Sequence, residues 1–159
     1  MKNKIKDLNE LKNIRSKYKS SNEKVVFTNG CFDLLHIGHV RYLYEAKKQG
    51  DILIVALNSD SSVKKLKGNN RPIINENERA ELLAALEMID YIIIFEELTA
   101  KKLINNLKPD IYVKGGDYSK ETLTEWETVE KNGGEVKLLK EIKGRSTTSL
   151  IKKINEINV

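Results

Sequence analysis

The chain is expected to fold as an α/β protein, a doubly wound, five-stranded parallel sheet with helices on both faces. Three observations predict this. Short apolar runs recur along the chain: KVVFTNG, DILIVALNSD, DYIIIF, IYVKGG and EVKLL. Segments with helical spacing separate them. The runs are apolar almost throughout rather than at alternate positions, which is what a strand covered on both faces requires.

In order along the chain, Ile5, Leu8, Leu11 and Ile14 recur at helical spacing, predicting an amphipathic helix over 5–19 that Ser20, Ser21 and Asn22 break. KVVFTNG (24–30) reads as a buried strand ending in a glycine turn. A helix is expected from His39 to Lys48, with Gly50 as its stop. The second strand covers 51–60, a short helix covers 60–67, and 68–73 forms a loop. Asn75 is placed to cap a helix over 76–88. The third strand covers 90–95. Thr99 opens a helix to Leu107, and Pro109 marks the turn out of it. The fourth strand, 111–116, runs into a glycine turn. A helix around 121–132 is stopped by Gly133 and Gly134, and the fifth strand covers 135–139. A KGR loop, 143–145, leads to a last helix over 147–157.

At 159 residues the chain is long enough for one core of ordinary size, and a single domain is expected. Residues 1–22 form an N-terminal helix and linker, and 23–159 the α/β core. No apolar run approaches the roughly 20 residues needed to span a bilayer. The basic N-terminus lacks the apolar segment of a secretory signal. A cytoplasmic location follows as an expectation, and the lone Cys31, which rules out an internal disulfide, fits it. The net charge of +5 comes from 28 Lys and Arg set against 23 Asp and Glu. The lysines are spread along the chain beside acids, without a basic block or aromatic interleaving. This is a solvated surface rather than a nucleic-acid or membrane partner's footprint.

Ligands of such sheets sit beyond the carboxyl ends of the strands, where strand order switches. Three polar segments fall there: TNGCFDLLHIGH after the first strand, KGGDY after the fourth, and GRSTT after the fifth. The first holds both histidines of the chain, His36 and His39, with Gly38 between them. They lie where a loop enters a helix, where free backbone N–H groups favour an anion. Imidazole N–H groups donate well to phosphoryl oxygens. From spacing alone, packing histidines or half of a metal site remain open, although a closed zinc site wants four ligands and no remainder is visible. Ser146, Thr147 and Thr148 are arranged as a helix cap that doubles as a phosphate cradle, with Arg145 beside it. GxxxxGK[ST] and GxGxxG are both absent.

TNGCFDLLHIGH resembles the GxFDxxHxGH signature of the cytidylyltransferase-like nucleotidyltransferases. Further segments resemble, more closely, the bacterial D-glycero-β-D-manno-heptose 1-phosphate adenylyltransferases: NSD followed by KKLKG, RPI, the Glu78-Arg79 pair, PDIYVKGGDY and GRSTTSLIKKI. The resemblance implies a Rossmann-like fold and transfer of AMP from ATP to the sugar phosphate, giving ADP-heptose for lipopolysaccharide or related carbohydrate synthesis. It also implies Mg²⁺ as counter-cation, a homodimer, and a separate sugar kinase upstream, for which the chain leaves no room.

Carried over onto this sequence, the resemblance makes His36, His39, Lys65 and Lys67 the catalytic residues, with the choice among Lys64, Lys65 and Lys67 open within KKLKG. Asn29, Gly30, Cys31, Phe32, Asp33, Gly38, Arg79, Lys114, Gly115, Asp117, Ser146, Thr147 and Thr148 become nucleotide- and substrate-binding, and no residue becomes a dedicated metal ligand. Arg71 is a weaker candidate for phosphate. Arg79 either reaches the β- and γ-phosphates or pairs with a carboxylate. Asp33 either orients a histidine or a metal-bound water, or caps the turn. A glycerol-3-phosphate cytidylyltransferase using CTP is the alternative. That family carries GDDW where this chain has GGDY, and an arginine-threonine pair where this chain has Glu141 and Ile142. A non-catalytic nucleotide-binding module is the remaining reading.

Overall fold

The computed structural model describes residues 2–140 and 146–157. After a single 3-10 turn at Lys2–Lys4, the elements are α1 (Leu8–Ser20), β1 (Val25–Gly30), α2 (Ile37–Lys47), β2 (Ile52–Asn58), α3 (Asp60–Lys67), α4 (Glu76–Ala84), β3 (Tyr91–Phe95), α5 (Lys101–Leu107), β4 (Ile111–Gly115), α6 (Trp126–Lys131), β5 (Glu135–Leu139) and α7 (Thr147–Glu156). The five strands form one parallel sheet in the order β3-β2-β1-β4-β5. It is the Rossmann-like, doubly wound sheet expected.

Strand residues alternate between two apolar layers because successive side chains point to opposite faces. Val25, Phe27, Ile54, Ala56 and Tyr112 pack with Leu11 of α1, Leu103, Ile104 and Leu107 of α5, and Val129 of α6. Val26, Leu53, Val55, Leu57, Ile111 and Val113 pack with Leu43 and Ala46 of α2 and with Ala80 and Leu83 of α4. Every residue of β2 is buried, which explains its unbroken apolar run.

The chain winds one way from β1 to β2 and β3, and the other way to β4 and β5. The switch point is therefore between β1 and β4. Six register pairs join β1 to β2, from Val25↔Ile52 to Gly30↔Leu57. Towards β4, β1 pairs through Val26↔Ile111 and Phe27↔Tyr112. Beyond them the strand ends part, leaving Asn29, Gly30, Lys114 and Gly115 at the mouth of the gap.

Five helix boundaries differ from expectation by two residues or more; one is α5, which opens at Lys101 rather than Thr99. The first helix starts at Leu8 rather than residue 5, because Asp7 and Glu10 make a reciprocal capping box. Ile5 instead bridges to Ile92, and Lys6 N–H donates to the Ile92 carbonyl at 2.8 Å, so this segment covers the β3 edge. The second helix starts earlier, at Ile37, because His36 caps it. Asn75 does cap the helix after it, but that helix stops at Ala84 rather than 88; no glycine or proline marks the stop. The expected helix around 121–132 shrinks to Trp126–Lys131. Ahead of it, the Thr122 hydroxyl takes the Ser119 N–H at 2.8 Å, offering the backbone an alternative to helix. The KGR loop, Arg145, Glu141 and Ile142 lie outside the described residues.

Candidate active site

A cleft of about 770 Å³ opens at the carboxyl ends of β1 and β4. Of the residues expected from the sequence, it gathers Asn29, Gly30, Cys31, Phe32, Asp33, His36, Gly38, His39, Lys67, Lys114, Gly115, Ser146, Thr147 and Thr148. Arg71 lines it as well.

The imidazoles of His36 and His39 stack with ring centroids 3.9 Å apart and planes 24° from parallel. His36 Nδ1 accepts the Gly38 N–H at 3.1 Å, so its neutral ring carries the proton on Nε2. His39 Nδ1 is buried without a hydrogen-bond partner. An orphaned buried N–H is rarer than an under-satisfied acceptor, so this ring also favours the Nε2–H form. Two imidazole donors therefore stand side by side at the start of α2. Burial, and secondarily the charge of His36, push the His39 pKa down from 6.5 to about 4. The ring is neutral at pH 7 in the free protein.

That shift has a consequence for stability. In the unfolded chain His39 titrates near 6.5, in the folded chain near 4. Between those values the unfolded state holds the extra proton, so stability falls as pH drops from about 6.5 towards 4. Chemical denaturation from pH 7.5 to 4.5 is expected to show wild type losing stability relative to His39→Gln. Parallel pH profiles would mean that His39 titrates normally.

The loop that carries the histidines is held from below. Phe32 adopts a left-handed backbone, φ 41°, and its ring lies over Gly30, where a Cβ would come within 2.9 Å of Cε2. Asp33 is buried and accepts the amides of Ile73 (2.9 Å) and Ile74 (3.0 Å) and the Arg71 guanidinium. Burial alone would raise this carboxyl. The two amides and Arg71 outweigh it and hold the pKa below the usual aspartate value. Asp33 thus ties the histidine loop to residues 71–74 instead of orienting a histidine. Cys31 is half-buried, and burial raises its thiol pKa, so it stays protonated and inert as a nucleophile.

Beside the histidine loop lies the N-terminus of α7. Ser146 and Ser149 form a reciprocal cap, with bonds of 3.1 Å each way. Thr147 Oγ1 donates to the Leu34 carbonyl at 3.3 Å, seating this corner directly on the histidine loop. Lys114 Nζ donates to Asn29 O (3.2 Å) and Oδ1 (3.1 Å), bridging the gap between β1 and β4. Burial lowers the Lys114 pKa, and the charge of Glu125 partly restores it.

Three expected residues do not line the cleft. Lys65 and Lys67 are two positions apart on α3, about 200° around a helix, so presenting Lys67 to the cleft turns Lys65 to solvent. Asp117 is exposed beyond Gly116, whose φ is +120°. Arg79 is fully buried, and its guanidinium donates to the carbonyls of Cys31 (2.6 Å), Asn58 (2.9 Å) and Ile74 (2.9 Å) and to the Asp60 carboxylate (2.7 Å). Of its two expected roles, the structure shows the carboxylate pair. Gly115 lines the cleft and also makes room for the Tyr42 ring, which a Cβ there would meet at 2.9 Å.

Sequence reasoning missed Tyr42, which bonds Thr28 Oγ1 (2.6 Å) and the Val113 carbonyl (3.0 Å) and locks α2 against the sheet. It also missed Thr122, Thr124 and Glu125, which were read as part of a helix yet line the cleft. The one available signal was the pair of threonines, residues that compete with helix by local hydrogen bonding.

This geometry, two imidazole donors beside a capped helix N-terminus with a half-buried lysine close by, suits a polyphosphate. The cytidylyltransferase-like family profile matches residues 27–156. The chain belongs to this family. It is accordingly a nucleotidyltransferase. Curated relatives include the "Bifunctional protein HldE" of Geobacter metallireducens, 54% identical over 151 residues, and that of Citrifermentans bemidjiense, 55% identical over 151 residues. Each alignment covers 95% of this chain but 31% of the relative, so the chain spans about a third of their length. Among solved structures, a lipopolysaccharide core biosynthesis protein from Thermoplasma volcanium is 34% identical with a TM-score of 0.63, covering 77% of this chain and 99% of its own. Pantoate-beta-alanine ligase from Francisella tularensis, 17% identical with a TM-score of 0.62, covers 96% of this chain and 78% of its own and shares the fold alone.

Among the described residues no group of three His, Cys, Asp or Glu side chains gathers as a metal cage, and no helix is long and apolar enough to cross a membrane. Of the cleft acids, Asp33 accepts Arg71 and two amides, Glu45 pairs with Lys48, and each Glu125 oxygen takes one protein donor. Among the described residues the donor set therefore forms no protein cage for Mg²⁺.

Proposed function

We propose that the chain transfers AMP from ATP to D-glycero-β-D-manno-heptose 1-phosphate, releasing pyrophosphate and ADP-heptose. The observation that carries this reading is the stacked His36–His39 pair seated against the α7 corner through Thr147 and Leu34. The high identity to the bifunctional relatives supports the sugar phosphate as acceptor.

In the reaction an oxygen of the sugar phosphate attacks the α-phosphorus of ATP in line. The bond to the bridging oxygen breaks, and pyrophosphate leaves with its electron pair. The incoming phosphate is already a nucleophile at neutral pH, so no general base or covalent enzyme intermediate is needed. Catalysis is positioning and charge stabilisation. His36 and His39 donate Nε2–H to the α- and β-phosphate oxygens, where charge grows as the bond breaks. Ser146, Thr147 and Thr148 receive the triphosphate tail at the α7 N-terminus, which favours anions. Lys114 and Lys67 neutralise the transferring and accepting phosphates, and the backbone of Asn29 to Phe32 and Gly38 permits close approach. Mg²⁺ would accompany ATP as its counter-ion and supply charge neutralisation there.

The reaction needs a cytoplasmic nucleotide pool and a kinase activity that makes the sugar 1-phosphate. The product serves lipopolysaccharide or related glycan synthesis. A homodimer completes this proposal: α7 buries none of its residues, and Ile154 and Ile157 at its end are exposed.

The test is a matrix of nucleoside triphosphates against sugar phosphates, read by pyrophosphate release with Mg²⁺. ATP with the heptose phosphate is expected to be the productive pair. Preferred turnover of CTP with glycerol 3-phosphate would overturn the assignment, and no turnover with any pair would leave a nucleotide-binding module.

A further inference from the structure

Glu125 is an acid in the wall of the cleft, 5% exposed, and among the described residues no lysine or arginine pairs with it. A buried carboxylate in that position is costly unless its lone pairs are filled. Two are. Oε1 accepts the Ala100 N–H at 3.1 Å and Oε2 accepts the Thr124 hydroxyl at 2.9 Å. A carboxylate offers about four acceptor sites, so each oxygen keeps one.

The position of this wall says what should fill them. Leu123 packs with Ala100 and Leu103 on one face of the sheet, whereas Leu43 and Ala46 of the histidine-bearing α2 pack on the other. The cleft therefore crosses the strand ends. One wall is rich in donors, the two imidazoles and the α7 corner. The other, Thr122, Thr124 and Glu125, is rich in acceptors, and Lys114 stands between them with the charge of Glu125 acting on it. A phosphate beside Glu125 would be repelled. A neutral group that donates hydrogen bonds would be held, and a hydroxyl pair on a sugar matches the two open carboxylate sites.

We propose that Glu125, with Thr122 and Thr124, forms a sugar-hydroxyl subsite that orients a bound sugar while its phosphate lies against the donor wall. This deepens the adenylyl-transfer reading and rests on it. Two bound sugars qualify, the acceptor and the ribose of ATP.

Glu125→Gln separates this role from a structural one. Glutamine keeps a carbonyl oxygen for Ala100 N–H but turns the other acceptor into a donor. With the acceptor as occupant, the variant is expected to raise KM for the sugar phosphate about tenfold to a hundredfold, the loss expected for a hydrogen bond to a charged group. KM for ATP and the thermal midpoint stay as in wild type. With the ribose as occupant, KM for ATP rises instead, and the variant no longer distinguishes ATP from 2′-deoxy- or 3′-deoxy-ATP. A second measurement needs only wild type: removing one hydroxyl from the bound sugar must cost kcat/KM by a similar factor. Unchanged KM values for both substrates overturn the inference, as does wild-type indifference to every deoxy analogue; Glu125 would then only cap α5. A wild type that releases no pyrophosphate with any pair sinks the proposed reaction and this subsite together. An active wild type with an unresponsive variant sinks the subsite alone.

Discussion

Replacing His36 or His39 by alanine is expected to lower kcat about 10²–10³-fold while the protein stays folded, the usual cost of removing one preorganised donor from a site of developing charge. The expectation follows from the stacked pair, 3.9 Å between centroids, with Nδ1 of His36 already occupied by the Gly38 N–H. Each imidazole is a separate donor at its own position in the loop, so neither can substitute for the other. KM for ATP should move less than kcat, because the contacts strengthen as charge develops on the leaving pyrophosphate. The double variant should lose less than the product of the single losses, since the two donors act on one charge. Steady-state kinetics with a circular-dichroism check of folding decide it. Single variants within about threefold of wild type would remove the pair from the mechanism.

The second large effect is at Arg79. Its guanidinium holds the Cys31, Asn58 and Ile74 carbonyls and the Asp60 carboxylate with no exposure to solvent. Arg79→Met leaves those carbonyls without their donor and Asp60, partly exposed, without its cation. Removing one partner of a buried ion pair typically costs 3–5 kcal/mol, and about that loss of unfolding free energy is expected in urea titration. Arg79→Lys keeps the charge but offers one point in place of a planar fork, so most of the loss should remain. Because Cys31 leads directly into Phe32 and the histidine loop, any folded fraction should also show reduced kcat. A phosphate-binding Arg79 would give the opposite pattern, near-normal stability with a raised KM for ATP.

The two residues show how far local pattern reaches. The strands were legible because a strand buried on both faces must be apolar along its length, and each run, from KVVFTNG to EVKLL, became a strand. The histidine loop and the serine–threonine corner were legible because loops that follow parallel strands face one edge of the sheet. Arg79 was ambiguous because a charged residue on an amphipathic helix looks the same in sequence whether its partner is a ligand or the carbonyls at the ends of β1 and β2 and at its own helix start. Asp33 was ambiguous for the same reason; its partners are about 40 positions away. Residues 121–125 were misread because Leu123, Trp126 and Val129 keep helical spacing, while the long-range bond from Ala100 N–H to Glu125 is visible only in the fold.

By itself, then, the sequence determined the strand set, the parallel sense of the sheet and the rim on which chemistry is placed, because these follow from hydrophobic period and chain direction, which are local. Only the tertiary structure decided which polar side chains face the cleft and which are consumed in holding it open. That choice depends on partners far apart in the chain. A buried polar group takes whichever partner satisfies it, and the sequence around it carries no record of that partner.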